Sequence, residues 1–430
     1  MNGSLHNWAT LLAAFQPVFT APSLEMFRHL AAAWVLCPGR RTLTRIYLFA
    51  DPARQRAHDA YSRFFTDASW LTADFWKCLA ILLVKSLCPH GVVETQLDDT
   101  AFHKSGRRIE GAAWWRDAVR STAQKTVHCF GLNLVVLTVC VQAPWGGEPL
   151  GLPINCRLHR KGLATLLELA EEMIREVADW FPDRAFALCA DGFYAPLAGV
   201  HLPRTSVTSR MRSDAALYRP APPRRPHHRG APRKKGARLP TPAQLAAKET
   251  SWKRIKITVR GKSTVRLVAT YDVLWYAVCP DQLIRLVISR DPKGIEKDDF
   301  LFTTDLTATP AQVIARYGNR WAIEDTFKNT KQSLGGEHPQ LWKRQGPLRA
   351  AVTALALYSL VWLHYLRVRG TQTTWLPLPW YPHKTTPSFA DAIASLRHDL
   401  WHQRLFPHSD KRPLLNTIAN TLIHALARAA

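Results

Sequence analysis

The run Ala185-Phe186-Ala187-Leu188-Cys189-Ala190 carries no charge and stops at Asp191-Gly192. An apolar stretch this short, closed by turn residues, reads as a strand buried on both faces, which commits the chain to a sheet covered by helices on either side. The neighbouring segments agree. Residues 92–97 read as a strand ending in Asp98-Asp99-Thr100, residues 127–141 as a long β-rich strand and residues 150–158 as a further one, followed by a helical stretch over 164–180. Strands first and a crossover helix afterwards predict a mixed α/β sheet.

The 430 residues, 47% of them apolar, exceed what one core serves, so two or three packing units are expected. Residues 5–88 have helical spacing, as in Leu24, Phe27, Leu30, Ala31 and Trp34. Within them Arg40-Arg41-Thr42-Leu43-Thr44-Arg45 either opens a helix onto phosphates or forms a solvated turn. Between 218 and 239 five prolines alternate with cations and no acid, including Arg224, Arg225, Arg229, Arg233, Lys234 and Lys235. No core forms from that composition; it reads as an exposed cationic arm, with a plain linker as the bland alternative. Residues 253–259, 264–270, 273–279 and 283–288 look like a β-meander, and 300–304 is the last strand candidate. Pro310 then opens a helix over 311–334, and after Gly335-Gly336 the chain reads mainly helical around an irregular link near 371–388.

Fifty-seven Lys and Arg against 33 Asp and Glu leave a net charge of +24, so the default partner is a polyanion, nucleic acid first. Sixteen tryptophans argue against wholesale disorder. The eight cysteines contain no Cys-x-x-Cys pair and sit partly in apolar runs, which points to buried free thiols rather than a zinc ribbon. The start lacks the features of a secretory signal, and a cytoplasmic, DNA-associated location is expected. The uncharged run 350–366 approaches the length of a membrane span but holds Thr353, Ser359 and His364, and reads as a buried helix. No His-x3-His pair sits on a convincing helix, and no phosphate-cradling Gly-x4-Gly-Lys-Ser/Thr loop is present, which excludes ATP hydrolysis from the expected chemistry.

On the helix after Pro310, with Glu324 taken as zero at 100° per residue, Tyr317 falls near about +20°, Arg320 near about −40° and Lys331 near about −20°. A carboxylate, two cations and a phenol share one face, beside Ile323, Phe327 and Leu334, which can anchor it to a core. Face geometry alone also fits a solvated polar stripe. The spacing Tyr317-x2-Arg320-x3-Glu324-x6-Lys331 is more specific: by chance it should occur on the order of a few times in a thousand such chains.

That pattern, with Trp321 and Ile323 beside it, resembles the Tyr-Arg-Glu-Lys signature of DDE transposases of bacterial insertion-sequence elements, whose catalytic domain is ribonuclease H-like. The resemblance covers residues 91–336. It implies two upstream aspartates: Asp98, favoured over Asp99 by the Asp-x-Thr pattern, and Asp191 at the end of the apolar strand. In-line displacement at a phosphodiester calls for charge neutralisation at both the attacking and the leaving oxygen, which two Mg²⁺ ions supply, and hard cations want oxygen ligands. Asp98, Asp191 and Glu324 are the expected catalytic residues and metal ligands, with Mn²⁺ as a substitute for Mg²⁺. Cleavage would expose a 3′-hydroxyl that attacks a second phosphodiester.

The resemblance further implies cut-and-paste movement of a DNA element by a homodimer on paired terminal inverted repeats, with no membrane partner, and DNA contacts from Tyr317, Arg320, Trp321 and Lys331. Relatives that close a hairpin stack a flipped base on a Trp of the insertion; Trp252 and Trp275 are both candidates. The expected fold is α/β: a ribonuclease H-like mixed sheet with helices, interrupted by a β-rich insertion and flanked by helical regions. The expected units are 1–88, helical and DNA-binding; 89–212, the first part of the catalytic domain; 213–298, the basic arm and β-rich insertion; 299–345, the second catalytic part with the Glu-bearing helix; and 346–430, helical. The alternatives are a transposase-derived DNA-binding protein that no longer cuts, or a structure-selective nuclease without strand transfer.

Overall fold

The computed structural model describes residues 3–117, 120–122, 124–223, 231–370, 375, 381–405 and 422–428. Helices α1 (Gly3–Ala13), α2 (Ala21–Leu36), α3 (Leu43–Ala50), α4 (His58–Thr66) and α5 (Thr72–Leu87) precede the sheet. They pack on aromatic side chains: the ring centroids of Phe15 lie 5.1 Å from Phe27 and 4.7 Å from Phe75. Of the two readings of residues 40–45, a helix does begin there, with Thr42 capping α3. Arg41 is turned inward, 3% exposed, and donates to the carbonyls of Trp34 and Gly39.

The strands are β1 (Val93–His103), β2 (Ala113–Arg116), β3 (His128–Val141), β4 (Leu150–His159), β5 (Phe186–Ala190), β6 (Thr205–Arg210), β7 (Lys253–Val259), β8 (Lys262–Val273), β9 (Ile284–Arg290) and β10 (Asp299–Thr303). They form one sheet in the order β2-β3-β1-β5-β6-β10-β9-β8-β7, with β4 also paired to β3. Antiparallel β4-β3-β1 runs into parallel β5 and β6, and α6 (Leu166–Trp180) makes the crossover from β4 to β5. This is the mixed α/β topology of a ribonuclease H-like sheet. Thr165 and Glu168 close a capping box that fixes where the crossover helix begins. All five residues of β5 are buried, as its apolar composition requires.

Three expectations are corrected. The strand expected to end at Asp98 continues to His103, because β3 pairs with β1 through His103↔Gly131; only its parallel neighbour stops at Ala190. Residues 273–279 are not a strand: β8 ends at Val273, and the Trp275 carbonyl accepts the N–H groups of both Val278 and Cys279, folding the segment into a tight turn. The helix expected over 311–334 is two, α8 (Pro310–Asn319) and α9 (Ala322–Gln332). The segment containing the β-meander extends the sheet, β9 pairing with β10, with α7 (Pro242–Lys248) before it.

Helix α10 (Gly346–Arg369) is long and apolar enough to cross a membrane, yet 94% of its most apolar window is buried inside the protein, as befits a core helix. Buried Arg349 ties it to the amino-terminal helices, donating to the carbonyls of Phe65 and Trp70 beneath the Trp70 ring. Helix α11 (Phe389–Leu405) packs against α10 and α2. All eight cysteines are free.

Candidate active site

The parallel pairing of β1 with β5 runs to Leu97↔Ala190, so the next residues, Asp98 and Asp191, stand side by side where β5 ends, on strands about 4.8 Å apart. Asp191 is fixed by the turn it makes: its Oδ1 accepts the Phe193 N–H at 2.9 Å, capping the short 3-10 helix Gly192–Gly199, and its carbonyl accepts the Ser209 hydroxyl at 2.7 Å. Asp98 accepts the Asp99 N–H at 2.9 Å and Arg320 Nη1 at 2.7 Å. The same Nη1 lies 4.0 Å from Glu324 Oε1. The Asp98 and Glu324 oxygens are therefore separated by no more than the sum of 2.7 and 4.0 Å.

Burial pushes the Asp98 carboxyl up to about 7, and Glu324 and Asp191 push it the same way, while Arg320 and the Asp99 N–H pull it down. Asp98 therefore feels two further acids, and Arg320 offsets only part of their effect on it. Asp99 faces away, as alternation along a strand demands. Its Oδ1 accepts the hydroxyl of buried Tyr194 at 3.0 Å, so it ties the 3-10 helix to β1.

The break between α8 and α9 has a local cause. Gln96 Nε2 donates to the Asn319 carbonyl at 2.8 Å, the acceptor that Ile323 N–H would use in a continuous helix. Ile323 N–H turns instead to Arg320 at 3.1 Å, and Glu324 N–H to Trp321 at 3.0 Å, so one tightened turn joins the two helices. Glu324 leads the first turn of α9 with its side chain 42% exposed, open to a ligand.

The other signature residues divide. The Tyr317 ring lies 5.9 Å from the Arg320 guanidinium and packs against the apolar side chains under β7, β9 and β10; burial pushes its hydroxyl up. Trp321 is exposed, with the Arg260 guanidinium 5.4 Å above its ring. Lys331 lies two turns beyond Glu324, over the Phe102 ring at 5.8 Å, its ammonium lowered by burial and drawn to Glu337, Cys129, Glu324 and Asp117. In the basic arm Arg233 and Lys234 are exposed, and Lys235 sits 4.2 Å from the Tyr218 ring and 4.7 Å from Tyr276. Arg224, Arg225 and Arg229 lie outside the described residues.

A groove of 670 Å³ opens beside Asp191, lined by Phe193, Arg210, Arg212, Trp275 and Lys297 among others. Trp275 is 6% exposed and packed edge-on against Phe302, while Trp252 lies under the Arg290 guanidinium at 4.2 Å. Gln96, Asn319 and Tyr194 position the site, and nothing in their spacing marks them.

Residues 14–275 match the family model of the DDE superfamily endonucleases, a span that includes both aspartates. This match takes in more than half of the chain, which belongs to that superfamily. Residues 252–367, which include Glu324, match the model of the archaeal putative transposase ISC1217. Among solved structures the chain is similar to a piggyBac transposase, seen by cryo-EM in a synaptic complex with hairpin DNA, at 9% identity over 98% of this chain and 80% of that one, with a TM-score of 0.37. No curated protein matches the chain.

Proposed function

We propose that the protein is a DNA transposase of an insertion-sequence element, cutting at the element's terminal inverted repeats and joining the freed end to target DNA. Asp98, Asp191 and Glu324 are the catalytic carboxylates of this reading. The observation that supports it is the setting of Asp98, beside Asp191 across the β1–β5 pairing and joined through Arg320 to Glu324 of α9. Their donor chemistry fits divalent metal: three carboxylates of like charge, one of them buried enough to resist ionisation, form an oxygen-rich set suited to Mg²⁺ or Mn²⁺. When bound, such ions supply charge neutralisation at the attacking and leaving oxygens of an in-line displacement.

The chain's own residues do the positioning. Arg320 holds Asp98 in place and leaves Glu324 at the site's open side. Tyr317, exposed Trp321 and Lys331 supply contacts to DNA near the cut, and the cations of the arm with Arg210, Arg212 and Lys297 of the groove hold the backbone further out. A homodimer on paired ends follows from the need to join two element ends to one target. The reaction takes place in the cytoplasm on double-stranded DNA.

The test is incubation of the purified protein with DNA of its element's ends, with and without Mg²⁺, followed by strand mapping. Metal-dependent cleavage that yields a 3′-hydroxyl and a joined product supports the reading; cleavage without joining leaves a nuclease. Asp191→Ala and Glu324→Ala are expected to abolish cleavage and leave DNA binding largely intact, and nicking retained by either variant removes that residue from the site.

A further inference from the structure

Three side chains with no role in the chemistry above meet at the far end of β1. His103 ends that strand, Asp117 follows β2, and Cys129 is the second residue of β3. Strand pairing brings them together: Trp115 lies opposite Cys129, the Asp117 N–H donates to the Val127 carbonyl at 2.8 Å, and His103 lies opposite Gly131. At Gly131 a Cβ would stand 2.1 Å from the Phe102 carbonyl oxygen, so glycine lets β1 and β3 close up at this point. One potential ligand atom from each of His103, Asp117 and Cys129 lies within 4.8 Å of the other two. Asp117 and Cys129 are buried, and His103 is half-buried.

Imidazole, thiolate and carboxylate form a borderline-soft donor set, which suits Zn²⁺ and does not suit Mg²⁺. Metal–ligand distances near 2.0–2.3 Å in a tetrahedral site place the ligand atoms about 3–4 Å apart, so a contraction on the order of 1 Å brings three of the four positions into place and leaves the fourth to water. Behind the imidazole, Glu337 Oε1 accepts the His103 backbone N–H at 2.7 Å and lies 3.7 Å from the ring Nδ1. At 3.7 Å this is an ion-pair distance; a shift of under about 1 Å would let the carboxylate accept the ring N–H, the arrangement that orients a metal-binding histidine. Arg120 already engages Asp117, its backbone N–H donating to Oδ1 at 3.0 Å and its Nε lying 3.5 Å from Oδ2, and the Lys331 ammonium borders the same group; these two cations are the rivals for its negative charge.

We propose that His103, Asp117 and Cys129 bind one Zn²⁺ ion that ties the end of the edge strand β2 to β3 and to the end of β1. The site is distinct from the carboxylate triad: Asp98 and His103 are separated by roughly 16 Å of extended strand. Binding replaces waters of the hydrated ion with Zn–N, Zn–O and Zn–S bonds, keeps one water as the fourth ligand, releases the Cys129 thiol proton to solvent and changes no oxidation state. The proposal does not depend on the transposase reading, since a nuclease or a DNA-binding relic would hold the same ion.

The experiment uses the full chain, stripped with chelator, dialysed against Zn²⁺ in excess Mg²⁺ and analysed for bound metal. A parallel sample loaded with Co²⁺ reports a thiolate ligand through its charge-transfer absorption. The expected result is one Zn²⁺ per chain, lost in His103→Gln, with the cobalt–thiolate band lost in Cys129→Ser. Zn²⁺ should raise the thermal midpoint of the wild type and of Asp191→Asn, but not of His103→Gln. Failure of the wild type to retain Zn²⁺ overturns the proposal and leaves Arg120 and Lys331 as the cations of the group. So does retention by both site variants, which would place the ion on other cysteines, or its loss in Asp191→Asn, which would place it among the catalytic acids.

Discussion

Asp98 and Asp99 are adjacent in sequence and point to opposite faces of β1, so replacing each should damage a different property. Asp99 accepts the Tyr194 hydroxyl at 3.0 Å, with Tyr194 only 1% exposed. A hydrogen bond to a charged, buried acceptor contributes about 1.5–3 kcal/mol, and truncating either partner leaves the other without water to replace it. Tyr194→Phe and Asp99→Ala should each cost about that much. The double variant should cost less than the two together, with a coupling energy of about 1.5–3 kcal/mol. The assay is urea unfolding of the four proteins followed by tryptophan fluorescence, with DNA cleavage measured on the same preparations under conditions where all are folded. Asp99→Ala should still cut, whereas Asp98→Ala should be stable and inactive. Coupling below about 0.5 kcal/mol, within the scatter expected of independent sites, would refute the structural role of the pair. Cleavage by Asp98→Ala together with inactivity of a stable Asp99→Ala would invert the assignment.

Further outcomes follow from other regions of the molecule. His364 is buried between Ser4 and Asn7, and its imidazole is pushed down to about 4 by burial, with Arg369 adding to this and Asp399 opposing it. The unfolded chain then binds the extra proton first. The contribution of this one group should be constant above about pH 6.5 and should fall by roughly 3 kcal/mol as pH drops toward 4, read as the pH-dependent part of the stability difference between wild type and His364→Gln in denaturant titrations, a difference in which the opposite slope of Asp98 cancels. Gly261 has φ +72°, and a Cβ there would lie 2.4 Å from the Gly147 Cα, so Gly261→Ala must push the two backbones away from each other. It should lower stability by about 1–3 kcal/mol, and an unchanged unfolding midpoint would contradict the close approach. Replacing Arg233, Lys234 and Lys235 by Ala should flatten the salt dependence of DNA binding by about 0.9 in log–log slope for each phosphate no longer neutralised; an unchanged slope would make the arm a linker.

Where candidate site residues are neighbours along the chain, the sequence makes them legible. Glu324 and Arg320 are one helical turn apart, and Asp191 ends a strand whose apolar composition announces its burial. What is not legible depends on strand pairing. Asp98 is expected at a strand end because its own sequence turns polar there, but β1 continues as long as β3 pairs with it. The break at Arg320 is invisible on the helical wheel, since its cause is Gln96, on another element. Likewise His103, Asp117 and Cys129 share no spacing rule and meet only through register. The turn at 275–279 reads as strand from its Val, Trp and Tyr, side chains that favour sheets until two N–H groups share one carbonyl.

The grip of Gln96 on Asn319 gives the central strand authority over the helix opposite. Gln96 sits two residues before Asp98, so a slip of β1 by one position would move an acid and the tightened turn ahead of Glu324 at once. Grafting residues 310–334 into a related enzyme should thus succeed only where the host's strand offers an amide at the same place. Without it the helix would run on unbroken past Arg320, and its glutamate would swing out of line with the two aspartates.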